Sequence, residues 1–201
     1  IANGQPALAL AQFVDKAPNL KFHGVLAYDG AVQHVEGFKA RKAQAFKTFE
    51  PVVGSYELMK KSGLNMEIFS GGGTGTYDMM YEIPGFTDVQ VGSYLFMDHQ
   101  YMIIGGANNE KIMDDFAPSL TVMATIINDS KAGKYVTDSG SKALTLNVPH
   151  GIVIGEPGFD YNAGSDEYGS VKIINPNKTY KVGDKFEVIV PHCDPVVNLY
   201  D

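Results

Sequence analysis

A second cysteine is missing from this 201-residue chain, and with it any intrachain disulfide framework; the single Cys193 fits a reducing compartment. Basic residues are also few, 16 Lys and Arg against 23 Asp and Glu, for a net charge of −7. That balance argues against nucleic-acid partners, because non-specific duplex binding is driven by Lys and Arg neutralising phosphates. No basic run offsets it, and the nearest, Lys39-Ala40-Arg41-Lys42, reads as a solvated helix face. Long apolar runs are lacking too. The stretch Val122–Ile127 falls far short of the ~20 residues of a membrane span, so no membrane partner is expected. No charged segment followed by an apolar core opens the sequence, so no secretory signal is expected and the cytoplasm is the expected location.

What is present is the balance of an ordinary folded protein, 44% hydrophobic and 19% charged, able to bury one substantial core or two modest ones. Pro6–Ala17 is Ala- and Leu-rich and reads as a short helix ending before Pro18. Phe22–Tyr28 is a short apolar strand with Asp29-Gly30 as its exit loop. Phe46, Phe49, Val53 and Tyr56 recur at three- and four-residue steps, which predicts an amphipathic helix over Phe38–Ser62 with Gly63 closing it. Pro51 either kinks that helix or starts its second half. Met66–Phe69 is a second strand, and Val89–Met97 a third extended piece. Helix, strand, helix, strand is the rhythm of parallel βα units, too few here to close an eight-stranded barrel. After about Tyr101 the pattern changes to short β-prone runs, among them Leu120–Ile127, Tyr135–Thr137, Ala143–Leu146 and Lys185–Val190, with a tight turn at Val182–Lys185. This predicts residues 1–100 as an α/β unit and 101–201 as a β-rich domain, with the boundary near residues 101–117.

Two motifs carry chemistry. The octapeptide Ser70-Gly71-Gly72-Gly73-Thr74-Gly75-Thr76-Tyr77 leaves a strand end with no Cβ to keep an anion away, and its hydroxyls add donors. It matches neither the P-loop nor the dinucleotide fingerprint. A plain glycine turn is the competing reading, but the C-terminal end of a βα strand is where such folds bind ligands. The second motif is His192-Cys193-Asp194. If Phe186–Asp194 runs extended, His192 and Asp194 share one face and Cys193 points to the other. One imidazole and one carboxylate can hold Mn²⁺, Mg²⁺ or Zn²⁺ and leave positions for water or a substrate hydroxyl. The alternative is a histidine simply hydrogen-bonded to a nearby carboxylate. His34, in the loop after the first strand, lies on the expected ligand side, with a surface or structural histidine as the competing reading; Tyr28, at the strand end, also reads as a core residue. Asp166-Glu167 reads as an acidic turn.

Together these pieces resemble the D-threonine aldolase and D-serine dehydratase family, pyridoxal-phosphate enzymes of the alanine-racemase fold type. The matching stretches are Gly24–Gly30 with Gln33-His34, the Ser70–Tyr77 octapeptide, Gly92–Asp98, and Pro191–Pro195 through Asn198–Asp201. The resemblance implies an α/β plus β architecture: the C-terminal part of a (β/α)₈ barrel followed by a mostly-β domain that carries the metal ligands. It implies pyridoxal 5'-phosphate held at Gly73, Thr74, Gly75 and Thr76 beside Tyr28, a divalent metal on His192 and Asp194, and His34 as base near the substrate hydroxyl. The implied reaction is retro-aldol cleavage of a D-3-hydroxy amino acid to glycine and an aldehyde, by a homodimer or monomer. Asp rather than Cys at position 194 resembles the aldolase branch; the dehydratase reaction and a non-catalytic phosphate-ligand protein are the alternatives. Two departures stand out. None of the lysines lies where the family places its Schiff-base lysine, which predicts a fragment that is inactive alone. And Tyr168 stands where the family usually has histidine.

Overall fold

The structure, a computed structural model, describes residues 1–200. They form two compact units. The first holds Ile1–Gly92 and Ile104–Lys111, the second Ser93–Ile103 and the residues from Ile112 onward. Near the boundary expected at residues 101–117 the chain changes unit more than once, since Ile104–Lys111 belongs to the first unit and Ser93–Ile103 to the second. That segment is bonded into the second unit, with the His99 amide on Val190 O at 3.0 Å and the Gln100 amide on Pro191 O at 3.1 Å. A composition shift marks where strand content rises, whereas membership of this segment is set by partners far along the chain.

In the first unit, α1 (Gln5–Lys16) carries Pro6 in its first turn, where a missing amide costs nothing, and buries Ala7, Leu8 and Ala11. Strands β1 (Gly24–Ala27), β2 (Ile68–Gly71) and β3 (Asp88–Val89) form a parallel sheet in that order, with Gly24 opposite Ile68 and Ser70 opposite Asp88. Between β1 and β2 runs α2 (Phe38–Lys61), through Pro51, ending at Ser62 with Gly63 at φ 79°. Its Phe49 and Tyr56 pack on the sheet, the Tyr56 ring stacked 4.9 Å from Phe69.

Two expectations fail in this unit. Val89–Met97 is not extended throughout: β3 stops at Val89, because β2 ends at Gly71 and offers no partner beyond the Gln90 amide bond to Gly71 O. Ser93–Leu95, in the second unit, is instead a 3₁₀ turn. Nor is Lys39–Lys42 a solvated face, since Arg41 is only 1% exposed. Its guanidinium donates to four backbone carbonyls: Gly75 (2.5 Å), Val35 (2.9 Å), Ile104 (2.8 Å) and Gly105 (2.7 Å). Carbonyl oxygens replace the water a buried cation loses.

The second unit is built on an antiparallel sheet of β4 (Thr121–Lys131), β5 (Lys134–Thr137), β6 (Ile152–Val153), β7 (Phe159–Asn162), β8 (Gly169–Ile173) and β9 (Lys185–Ile189). The order is β6-β9-β4-β5-β8-β7, and the end strands β6 and β7 touch, so the sheet curls like a barrel. Tyr135, Phe159, Tyr161, Tyr180 and Phe186 fill its core, with Phe186 edge-on to three of the other rings. The tight turn expected over Val182–Lys185 forms one residue earlier, with the Asp184 amide on Lys181 O at 3.1 Å and Gly183 at φ 93°.

Three short helices complete the unit: α3 (His99–Met102), α4 (Ser141–Leu144) and α5 (Cys193–Val197). Ala143–Leu146, expected as strand, lies partly in α4. The Gly140, Ser141 and Lys142 amides bond to the carbonyls of Glu167, Ser165 and Asp166, which satisfies the donors that a helix start leaves open. That gives the acidic turn at Asp166-Glu167 a structural role, and leaves Tyr168 exposed beside it. The extended run expected to Asp194 also stops short. β9 ends at Ile189, and after His192, whose backbone is still extended, Cys193 begins α5. Among the described residues no helix is long and apolar enough to cross a membrane.

Candidate functional site

The octapeptide begins inside β2 and leaves it at Gly71. β1 and β2 are parallel neighbours, so the loops leaving their C-terminal ends lie side by side. The β1 loop supplies Tyr28, Gln33 and His34. Gln33, which the sequence reading named only as part of a motif, is the clamp. It is 1% exposed; its Oε1 accepts the Gly75 amide at 3.0 Å, and its Nε2 donates to Asp29 O at 3.1 Å and to the Thr76 hydroxyl at 3.2 Å. The Thr76 hydroxyl in turn accepts the Gly73 amide at 3.0 Å.

Glycine is required here by close approach. A Cβ at Gly75 would lie 2.1 Å from Gln33 O, and one at Gly73 would lie 2.8 Å from Gln33 Oε1 and 3.1 Å from the Tyr28 ring. Thus Tyr28, Gly73, Gly75 and Thr76 are brought together as one packed group. The amides of Gly73 and Gly75 and the Thr76 hydroxyl are engaged within it, so these three shape the loop. Thr74 is 2% exposed, while His34, exposed, ends the Val32–His34 turn. What the loop shares with a phosphate grip is its place, a glycine-rich turn at the C-terminal end of a parallel strand.

In the second unit His192 stands at the start of α5 with a side chain 19% exposed. Its Nδ1 meets Asp98 Oδ2 at 2.8 Å, and its Nε2 lies 3.5 Å from Asp194 Oδ2. Both readings of the histidine are thus present at once: Asp98 is its hydrogen-bonded carboxylate, and Asp194 sits at its other nitrogen. Asp98 is fully buried and also accepts the Cys193 amide at 2.9 Å and the Tyr101 amide at 2.9 Å. Burial alone would raise its pKa, but the bonds from His192, Cys193 and Tyr101 together hold it below the ordinary aspartate value. The Asp98 bond raises the His192 pKa against the effect of burial.

Asp98, His192 and Cys193 bring ligand atoms within 4.8 Å of one another. Cys193 is nevertheless 1% exposed and its pKa is pushed up to about 12, chiefly by burial, so it stands as a neutral thiol, whereas the thiolate is the metal ligand. The exposed Asp194 and the Nε2 atom form the better pair. A carboxylate oxygen and an imidazole nitrogen on the open side of a buried carboxylate fit a divalent cation. Asp98 was missed as a working residue, although an Asp directly before a helix is a recognisable N-cap signal.

Residues 119–201 match the model of the putative serine dehydratase domain. The whole chain is 32% identical to the 3-hydroxy-D-aspartate aldolase of Paracoccus denitrificans (strain Pd 1222), of which it covers 52%. Over 96% of its length it is 33% identical to the D-threonine aldolase of an Arthrobacter species, covering 50% of that protein. It therefore spans about half the length of these curated relatives. Its fold matches the D-threonine aldolase of Filomicrobium marinum with a TM-score of 0.91 and 29% identity, over 100% of this chain and 54% of that one. The alanine racemase of Clostridium difficile 630 matches in fold alone, at a TM-score of 0.57 and 13% identity over 98% of this chain and 52% of the other. In sequence and in its alanine-racemase type of fold, the chain is D-threonine aldolase/D-serine dehydratase-like.

Proposed function

We propose that this chain is part of a pyridoxal-phosphate- and divalent-metal-dependent lyase that cleaves D-3-hydroxy amino acids to glycine and an aldehyde. The observation that carries this reading is the His192 imidazole, held on one side by buried Asp98 and facing the Asp194 carboxylate on the other. The similarity to two aldolases acting on D-3-hydroxy amino acids supports the substrate class.

When bound, the pyridoxal phosphate supplies an electron sink for the pair released at Cα, and the cation acidifies the β-hydroxyl. In this reading the Gly73–Thr76 loop holds the phosphate, its shape kept by Gln33, and Tyr28 flanks the cofactor. His192 Nε2 and Asp194 hold the cation. His34, exposed on the loop after β1, would take the hydroxyl proton as Cα–Cβ breaks; the hydroxyl carbon would leave as the aldehyde, and the pair left on Cα would take up a proton to give glycine. The reaction belongs to the protein at the full length of its relatives, and the 201-residue chain alone is expected to be inactive.

The family-model match favours a second reading, dehydration of a D-3-hydroxy amino acid, in which the same residues make the hydroxyl a leaving group. One assay separates the two. The full-length protein with pyridoxal phosphate and Mn²⁺ is given D-threonine, and glycine with acetaldehyde is the expected product. A 2-oxo acid with ammonia instead would establish the dehydratase. His192→Ala with Asp194→Ala is expected to lower kcat by at least about 100-fold, on the scale of a lost group in acid–base and metal catalysis. Unchanged turnover in that double variant would refute the cation reading.

A further inference from the structure

Three hydrogen bonds converge on the fully buried Asp98 side chain. Oδ1 accepts the Tyr101 amide in α3 at 2.9 Å. Oδ2 accepts the Cys193 amide in α5 at 2.9 Å and faces His192 Nδ1 at 2.8 Å. An ionised carboxylate can only accept, so the proton in the bond to His192 must be carried by Nδ1. In a neutral imidazole this leaves the lone pair on Nε2, the nitrogen 3.5 Å from Asp194 Oδ2. Because two backbone amides anchor the carboxylate, it cannot turn away and release the ring.

We infer that Asp98 is the positioning residue of the cation site: it fixes the His192 ring and its tautomer so that Nε2 and Asp194 face one ion. This rests on the cation reading above. It assigns to Asp98 contact with the ligand histidine and none with the ion, since its own oxygens are taken up by His192, Cys193 and Tyr101. Such outer carboxylates orient metal-binding imidazoles and raise their basicity, and their loss typically weakens metal binding about 10–100-fold. Capping α3 through Tyr101 is a separate task, and a cap alone has no bearing on which ring nitrogen of His192 carries a proton.

The test uses the full-length protein with ¹⁵N-labelled histidine. In metal-free wild type the neutral His192 ring is expected to carry its proton on Nδ1; a ring protonated on Nε2 would overturn the proposal whether or not metal binds. Mn²⁺ titrations by calorimetry then compare wild type, His192→Ala and Asp98→Asn. An amide at position 98 cannot accept from Tyr101, Cys193 and His192 together, so Kd is expected to rise about 10–100-fold in Asp98→Asn. If Asp98→Asn binds Mn²⁺ as wild type does while His192→Ala loses it, the positioning role falls and the cation reading stands. If wild type and His192→Ala bind alike, the cation reading falls and takes the proposal with it. Should Asp98→Asn fail to fold by circular dichroism, the wild-type tautomer decides alone.

Discussion

In the first unit half of the octapeptide is glycine, and distant residues help to fix it: Gln33 clamps Gly75 and Thr76, and Arg41 binds the Gly75 carbonyl. Around it lies a sheet of three short parallel strands. In the second unit one carboxylate organises His192, and the support is a six-stranded antiparallel sheet around five packed aromatic rings. The difference is one of what excludes water. The glycine loop depends on polar groups satisfied at fixed distances, while the histidine site adds to its Asp98 clamp an apolar core that reaches Cys193 and Val196. Buried polar clamps fail abruptly when one partner is lost, because unpaired acceptors remain. Apolar cores lose stability in proportion to the volume removed.

The largest effect should therefore come from Arg41. Arg41→Met keeps much of the side-chain length but takes its donors from the carbonyls of Val35, Gly75, Ile104 and Gly105. Ile104 O keeps the Gly37 amide, so at roughly 1–3 kcal/mol for each of the other three acceptors left unmet a loss of about 5 kcal/mol is expected. Hydrogen exchange should show it first at residues 73–76 and 104–105, with protection around β9 unchanged. A loss below about 1 kcal/mol by urea unfolding would mean that the clamp is dispensable.

Next comes Phe186→Ala in the second unit, where the ring packs edge-on to Phe159, Tyr161 and Tyr180. Removing a buried phenyl ring costs about 3–5 kcal/mol. The loss of exchange protection should appear in β4 and β9 and leave residues 73–76 as they were. If the glycine loop opened in this variant as well, the two modes of support would not be independent.

Much of this was legible in the sequence because local pattern and global fold agree there. The α2 periodicity, the Gly63 stop, the strand running into the octapeptide and the turn before β9 are all set by residues within a few positions of one another. His192 and Asp194 do come within 3.5 Å, but at the start of α5 and not through the strand alternation expected of their spacing. What could not be read depends on distant partners. Arg41 looks like any charged helix residue until Ile104 and Gly105 are seen to accept from it. Asp98 and His192 lie 94 positions apart. Alternation over residues 186–194 misled for the same reason: the ladder from β4 ends at Ile189, and Asp98 then takes the Cys193 amide at the start of α5.

The smallest expected effect concerns pH and the strand that carries the octapeptide. Asp88 in β3 lies opposite Ser70 and accepts its hydroxyl, and Thr87 donates to the same carboxylate at 2.7 Å. These bonds, Ser70 first, hold the Asp88 pKa below the ordinary aspartate value. A carboxyl whose pKa is lower folded than unfolded binds protons more tightly in the unfolded chain. Its contribution to stability is therefore full above the unfolded value, about 3.9, and drains away as pH falls through the folded one. Asp88→Asn should thus lower the urea midpoint at pH 7 and lose that difference by about pH 2, where the wild-type carboxyl is itself protonated. Because Asp88 is exposed, the shift should be small and should shrink in high salt. An equal midpoint for the two proteins at pH 7 would show that the Ser70 bond to Asp88 adds nothing to the strand end.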